Sequence, residues 1–204
     1  KAIHLLDLSS KHDNSNASYN LGYLYCNGSV VKQDFGKAKN YFESAAKQNN
    51  SKALYNLGVF YLKGISVQKD CMKAIQYFEL AAKENNSEAL NQLAGLYLSG
   101  KEVEQNISKA VEYFKLSVEL NNPRAQNSLG FLYLHGFGVE KNLNKALQYY
   151  EMSAKQNDSN ALKNLGSMYE NGLGVVKDIL RAIKYYESSA KQKNSGAYLN
   201  LGLL

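Results

Sequence analysis

Ala53-Leu54-Tyr55-Asn56-Leu57-Gly58-Val59-Phe60-Tyr61-Leu62-Lys63-Gly64 is the start of a unit that returns every 36 residues. Complete copies cover 17–52, 53–88, 89–124, 125–160 and 161–196, with no insertion or deletion between them. A unit of that length can form one helical hairpin, which cannot bury its apolar face alone and must stack on the next copy. The period therefore predicts an all-α solenoid. Residues 1–16 continue it backwards as the end of a preceding repeat, and 197–204 begin a further one. Both ends stop inside a hairpin and lack the polar capping repeats that close an array, so the sequence reads as a segment of a longer protein.

Within the quoted stretch, alanine, leucine, an apolar residue and tyrosine recur at positions one, five, eight and nine of each copy. Offsets of four, three and one share one face of a 3.6-residue helix, which is the packing face. Gly22, Gly58, Gly130, Gly166 and Gly202 recur at position six, with Ala94 the exception. Glycine inside a helix costs about 1 kcal/mol relative to alanine, so close backbone approach by a neighbouring helix is expected in return. Asn50, Asn86, Asn122, Asp158 and Asn194 are the expected N-caps of the first helices, and the single proline, Pro123, fits a first turn. Gly28, Gly64, Gly100, Gly136 and Gly172 suit left-handed helix ends. Val31, Val67, Val103, Val139 and Val175 follow as plugs of the hairpin turn. Asp34, Asp70, Asn106, Asn142 and Asp178 then cap the second helices.

The second helix repeats a small residue, an aromatic pair and two small residues, as in Ala38, Tyr41-Phe42 and Ala45-Ala46. Glu43 and Lys47, Glu79 and Lys83, Glu151 and Lys155, and Glu187 and Lys191 are spaced to form i,i+4 ion pairs on its exposed side, and Lys115 and Glu119 invert the order. These pairs need no functional explanation.

With 45% hydrophobic and 21% charged residues among 204, composition alone fits a globular domain or an array, and the register decides for the array. No apolar run approaches the ~20 residues of a bilayer span, so no membrane insertion is expected. Cys26 and Cys71 fall at different repeat positions and read as free buried thiols rather than a staple. That fits a reducing compartment such as the cytoplasm, with a secreted effector as the alternative. His4, His12 and His135 lie in different copies without recurring acid or thiol partners, and Gly136 and Gly138 follow a helix rather than a strand. Neither catalysis, nor a metal, nor a cofactor is expected. The formal charge is +6, and Lys37, Lys73, Lys109, Lys145 and Arg181 form a ladder at position 21, with Lys32, Lys69, Lys141 and Lys177 in the turns nearby. Cations at a helix start oppose the dipole, so their expected role is solvation or pairing with the adjacent acidic cap. A basic edge for an acidic partner, nucleic acid or anionic lipid, is the alternative binding surface, although no specific nucleic acid is expected.

The unit Ala161-Leu162-Lys163-Asn164-Leu165-Gly166-Ser167-Met168-Tyr169-Glu170-Asn171-Gly172-Leu173-Gly174-Val175, followed by Asp178, Arg181-Ala182, Tyr185-Tyr186-Glu187 and Ala190, resembles the Sel1-like repeat (SLR), a cousin of the tetratricopeptide repeat. The resemblance spans the chain. Its departures are the second turn glycine, present only as Gly138 and Gly174, and an absent proline before the second helix. It implies a right-handed α-solenoid, a superhelix of antiparallel helix pairs, used as an adaptor for protein partners. The alternative reading is the regulatory repeat region of a larger protein. Some cysteine-rich relatives staple each hairpin with a disulfide, which this sequence does not support.

By likeness to tetratricopeptide repeats, the first-helix positions free of packing line the concave groove. They are apolar and aromatic early on, at Tyr19, Tyr23, Tyr55, Val59 and Leu62, and mixed later, at Asn91, Arg124, Asn127, Phe131, His135 and Lys163. Position four carries Asn20, Asn56, Gln92, Asn164 and Asn200, with Ser128 between, a file of amides able to hold the backbone of a bound peptide. The competing reading is that these amides bind the neighbouring helix and lock the stack. The expected partner is a protein or peptide segment, and the open ends carry a risk of end-to-end self-association.

Overall fold

The computed structural model describes residues 2–204, and all regular structure in them is helical. The helices are α1 (Ala2–Lys11), α2 (Ser15–Asn27), α3 (Phe35–Ala46), α4 (Ser51–Lys63), α5 (Cys71–Lys83), α6 (Ser87–Ser99), α7 (Ile107–Glu119), α8 (Pro123–His135), α9 (Leu143–Lys155), α10 (Ser159–Asn171), α11 (Ile179–Ala190) and α12 (Ser195–Leu203). Contacts gather them into two compact units. One ends at Gln105 and holds α1 to α6, and the other begins at Asn106 and holds α7 to α12. In the first unit α2 pairs with α3 and α4 with α5. In the second α8 pairs with α9 and α10 with α11.

Capping sets every boundary. Asn50, Asn86, Asn122, Asp158 and Asn194 hold extended backbone and accept from the N–H three residues on, the alanine at position one. Asp34, Asp70, Asn106, Asn142 and Asp178 do the same for the second helices. The N–H groups of Asp34, Asp70, Asn142 and Asp178 also donate at 2.9 Å to the carbonyls of Tyr25, Tyr61, Tyr133 and Tyr169, which closes each hairpin across its turn. The five turn glycines are left-handed, with φ between 63° and 74°. Between copies, Asn49, Asn85, Asn121 and Asn157 take positive φ of 55° to 59° just before the cap, a conformation asparagine tolerates well. Lys193 takes it at 61°, without that advantage.

Alanine, leucine and ring positions form the core. Ala38, Phe42, Ala45, Ala53 and Leu57 are sealed from solvent in the first unit, and Ala146, Tyr150 and Ala161 in the second. Val67, Val139 and Val175 pack against these clusters as expected of turn plugs. The glycine at position six has a different cause from the expected backbone approach. A Cβ on Gly58 would lie 2.5 Å from the Phe78 ring, and one on Gly130 2.7 Å from the Tyr150 ring. A ring of the partner helix lies flat on the glycine, so the close approach is by a side chain.

Surface charge also departs from expectation. Among the described residues, Glu43 pairs with Lys39 at 3.0 Å instead of Lys47, and none of the other predicted Glu–Lys pairs closes. Such exposed pairs are worth only a few tenths of a kcal/mol, too little to fix a geometry. Cys26 and Cys71 are free, but half-buried rather than buried. Burial pushes both thiols up. No described helix is long and apolar enough to cross a membrane.

Candidate functional site

The residues expected to line a groove fall into two sets, one per unit. Tyr19, Asn20, Tyr23, Tyr55, Asn56, Val59, Leu62, Asn91 and Gln92 lie on α2, α4 and α6. Arg124, Asn127, Phe131 and His135 lie on α8, and Lys163 and Asn164 on α10.

Some of these side chains are spent on packing. Tyr19 is half-buried, 5.9 Å from the Phe42 ring and 6.2 Å from Tyr23, with Lys52 Nζ over it at 5.9 Å. Burial pushes its hydroxyl up. Tyr55 sits 5.8 Å from Phe78. Val59 and Leu62 are half-buried.

The amides at position four reach for neighbours. Asn164 Nδ2 donates to Asn127 Oδ1 at 2.9 Å, and Gln92 Nε2 makes a long 3.5 Å contact with the Tyr55 hydroxyl. In both, position four of one copy meets position three of the copy before. Asn56 Nδ2 donates to the Lys52 carbonyl of its own helix at 2.8 Å, and Asn56 also hydrogen-bonds Tyr19, position three of the copy before. Asn56, Gln92 and Asn164 are thus each engaged with protein neighbours, as the competing reading expects, whereas Asn20 is exposed. Among the described residues Asn91 Oδ1 is buried with no partner.

Position seven is open in three of the five copies, while Val59 and Ser167 are half-buried there. Tyr23 and Phe131 occupy it, one in each unit, and are 51% and 42% exposed. At the same position Gly95 has nothing within 4 Å of an added Cβ. Phe131 also belongs to a ring cluster that the sequence reading missed. His135 lies 4.4 Å from it and Phe137, 51% exposed, at 6.0 Å, while His135 and Phe137 are 5.7 Å apart and nearly parallel. Phe137 escaped notice because it stands in the turn, outside the helical period.

A second surface recurs between successive second helices. Clefts of about 570, 510 and 350 Å³ are lined by Asp7, Lys11 and Tyr41, by Glu43, Lys47 and Tyr77, and by Glu151, Lys155 and Tyr185. The acid, lysine and tyrosine hold the same repeat positions in each. In the first cleft the Tyr41 hydroxyl donates to Asp7 at 3.1 Å, and Lys11 pairs with Asp7 at 2.7 Å and holds its carboxyl below its ordinary value. Asp7, Lys11 and Tyr41 of that cleft thus satisfy one another.

The cations at position 21 are placed otherwise than expected. Lys37, Lys73, Lys145 and Arg181 stand over the rings of Tyr25, Tyr61, Tyr133 and Tyr169 at 5.3, 4.4, 5.1 and 4.3 Å. Each of these rings stacks in turn on the first tyrosine or partner of the aromatic pair, Tyr41, Tyr77, Tyr149 or Tyr185, at 5.5 to 5.7 Å. Lys109 lies over Tyr113 at 5.8 Å. Among the described residues only Lys37 approaches its acidic cap, Asp34, at 4.0 Å. The ladder cations thus make cation–π contacts that the sequence did not announce, while staying exposed to solvent. Among the described residues no three His, Cys, Asp or Glu side chains gather at metal-binding spacing.

The profile of the Sel1 repeat matches residues 15–50, 51–86, 87–122, 123–158 and 159–194, the same period set two residues earlier. The crystal structure of a protective antigen present in uropathogenic Escherichia coli strains, displaying an SLR fold, is 31% identical, with a TM-score of 0.86. That match covers 99% of this chain and 43% of the other, so the chain spans less than half of that relative. A Sel1 repeat protein from Oxalobacter formigenes is 32% identical over 94% of this chain and 78% of its own, with a TM-score of 0.90. The immunity protein Pa5087 from Pseudomonas aeruginosa shares the fold, at 23% identity, 90% and 67% coverage and a TM-score of 0.64. No curated protein matches in sequence.

Proposed function

The chain belongs to the Sel1 repeat family, whose members are generally protein–protein interaction scaffolds, and from that premise we propose that it holds a protein segment against its first-helix face without catalysing a reaction. We read the 204 residues as one array, because the 36-residue spacing runs unbroken past residue 105. The observation that carries the reading is position seven. Packing fixes positions one, five, six, eight and nine, yet at position seven, where Val59 and Ser167 are half-buried, Tyr23 and Phe131 are exposed by about half, one in each unit, and Gly95 leaves open space. Exposed aromatic side chains on an otherwise constant frame suit recognition, since Tyr and Phe bring large contact areas at small entropic cost. Asn20, exposed one turn before Tyr23, offers donors and acceptors for a bound backbone. The basic edge is less suited to the role, because its helix-start cations already rest on tyrosine rings.

The test is site-specific photo-crosslinking. A benzophenone amino acid at position 23 or 131 should capture the same partner, and one at Gln76 or Gln148, exposed on second helices, should not. Capture from Gln76 and Gln148 alone would place recognition on the opposite side.

A further inference from the structure

Resting on the reading above, we propose that the first-helix face of the second unit takes an extended acidic segment whose carboxylate lies three residues from a bulky apolar side chain. Arg124 is exposed in the first turn of α8, where a cation opposes the helix dipole, and it makes no ion pair among the described residues. Its position is therefore not explained by helix stability. Lys163, on α10, is likewise without an ion pair, and its stem lies against Gly196, where an added Cβ would be 3.0 Å from Cδ. The Asn164–Asn127 bond joins α8 to α10 within this unit, next to Lys163 in sequence and one turn along α8 from Arg124. From Asn106 onward the chain has twelve lysines and arginines against eight aspartates and glutamates, a net +4. Charge complementarity thus selects an acidic partner and disfavours a cationic one, although rings alone would accept either.

Seven residues along α8 from Arg124 stands Phe131, a rise of about 10 Å. There the Phe131, His135 and Phe137 rings form an exposed apolar patch, with Phe137 fixed by its N–H donating to the Leu132 carbonyl at 3.0 Å. An extended chain covers about 10 Å in three residues. It would also present its unpaired N–H and C=O groups to Asn127 and Asn164 between the two anchors, which a helix would not.

A randomised dodecapeptide display library panned on the full chain supplies the probes, and synthetic copies of the enriched peptides are then titrated by fluorescence anisotropy. The enriched peptides should carry Asp or Glu three residues from Phe, Leu, Ile or Trp. Binding should fall at least about tenfold for Arg124→Glu with Lys163→Glu and for Phe131→Ser with Phe137→Ser, the loss expected of an interface anchor. All four side chains lie outside the buried core, and unchanged thermal melts would show that the variants fold. Enriched peptides without the acidic–apolar pair, or with affinity untouched by both variants, would overturn the inference. If those peptides instead lose affinity on Tyr23→Ser, the groove reading stands and this inference alone fails. If no first-helix substitution matters, or nothing is enriched, both fall.

Discussion

The hydroxyl of Tyr186 donates to Oε2 of Glu170 at 2.6 Å. One copy earlier Tyr150 holds the same repeat position, equally sealed from solvent, and its hydroxyl has no partner among the described residues. The counterpart of Glu170 there is Leu134, which can accept nothing. A buried hydroxyl without a partner costs about 1–3 kcal/mol, whereas a made bond contributes about 1 kcal/mol. Tyr150→Phe should therefore raise stability by about 1 kcal/mol, and Tyr186→Phe should lower it by about as much. Urea midpoints at constant slope check both. Destabilisation by Tyr150→Phe would mean that its hydroxyl is bonded after all.

Alkaline pH should act through the same two residues. Burial pushes Tyr150 well above its ordinary value, and burial followed by the Glu170 carboxylate does the same to Tyr186. A raised folded-state value means that the folded protein keeps the proton that the unfolded chain loses. The contribution is complete below pH of about 10, the unfolded value, and declines as pH rises above it. Stability measured from pH 8 to 11.5 should fall above pH of about 10, and less steeply in the Tyr150→Phe, Tyr186→Phe double variant. A decline of equal slope in both proteins would contradict this.

Two glycines should respond in opposite senses to alanine. Gly95 lies in the interior of α6 with nothing within 4 Å of an added Cβ, so Gly95→Ala should stabilise by about 0.5–1 kcal/mol through helix propensity. Gly58 lies under the Phe78 ring, whose nearest atom would be 2.5 Å from the new Cβ. Gly58→Ala should cost about 1–3 kcal/mol despite the same propensity gain. Thermal melts of the two variants decide it.

The ring-seated cations predict an order rather than a size. Lys73 stands 4.4 Å from the Tyr61 ring centroid, and Arg181 stands at 4.3 Å over Tyr169. At position 73 the melting temperature should rank arginine at or above lysine, with methionine below both, since methionine keeps the apolar stem and loses the charge. Equal stability of the lysine and methionine forms would return the ladder to simple solvation.

The amide seam can be separated from binding by a double-mutant cycle. Asn164→Ala and Asn127→Ala, singly and together, should show a coupling of about 0.5–1 kcal/mol for their 2.9 Å bond. No coupling would leave Asn164 free for a ligand alone.

The fold was legible because each cap and turn carries its own chemistry. Asn50 and Asp70 announce helix starts and Gly64 a helix end, and the structure places all three there. The conformational role of Asn49 was not legible, because its left-handed φ is set by the tight link between copies and a run of asparagines points equally to caps. Arg181 looked like a helix-start cation, and its seat on Tyr169 depends on how two helices of a hairpin face each other, which no period encodes. At the candidate site, the period identified Phe131 as free of packing but could not add Phe137, whose approach is set by the turn after Gly136. Nor could it show that Tyr19 and Tyr55 are largely used against Phe42 and Phe78 while Tyr23 stays open.

The central claim, that the first-helix face is the working surface, is tested most directly by hydroxyl-radical footprinting of the chain with and without its crosslinked partner. Tyr23 and Phe131 report on that face, and Met72 and Met152, 64% and 41% exposed on second helices, report on the other. The account predicts that the partner protects Tyr23, Phe131 or both and leaves the two methionines oxidised at their free rates. Protection of Met72 and Met152 with Tyr23 and Phe131 still reactive would contradict it.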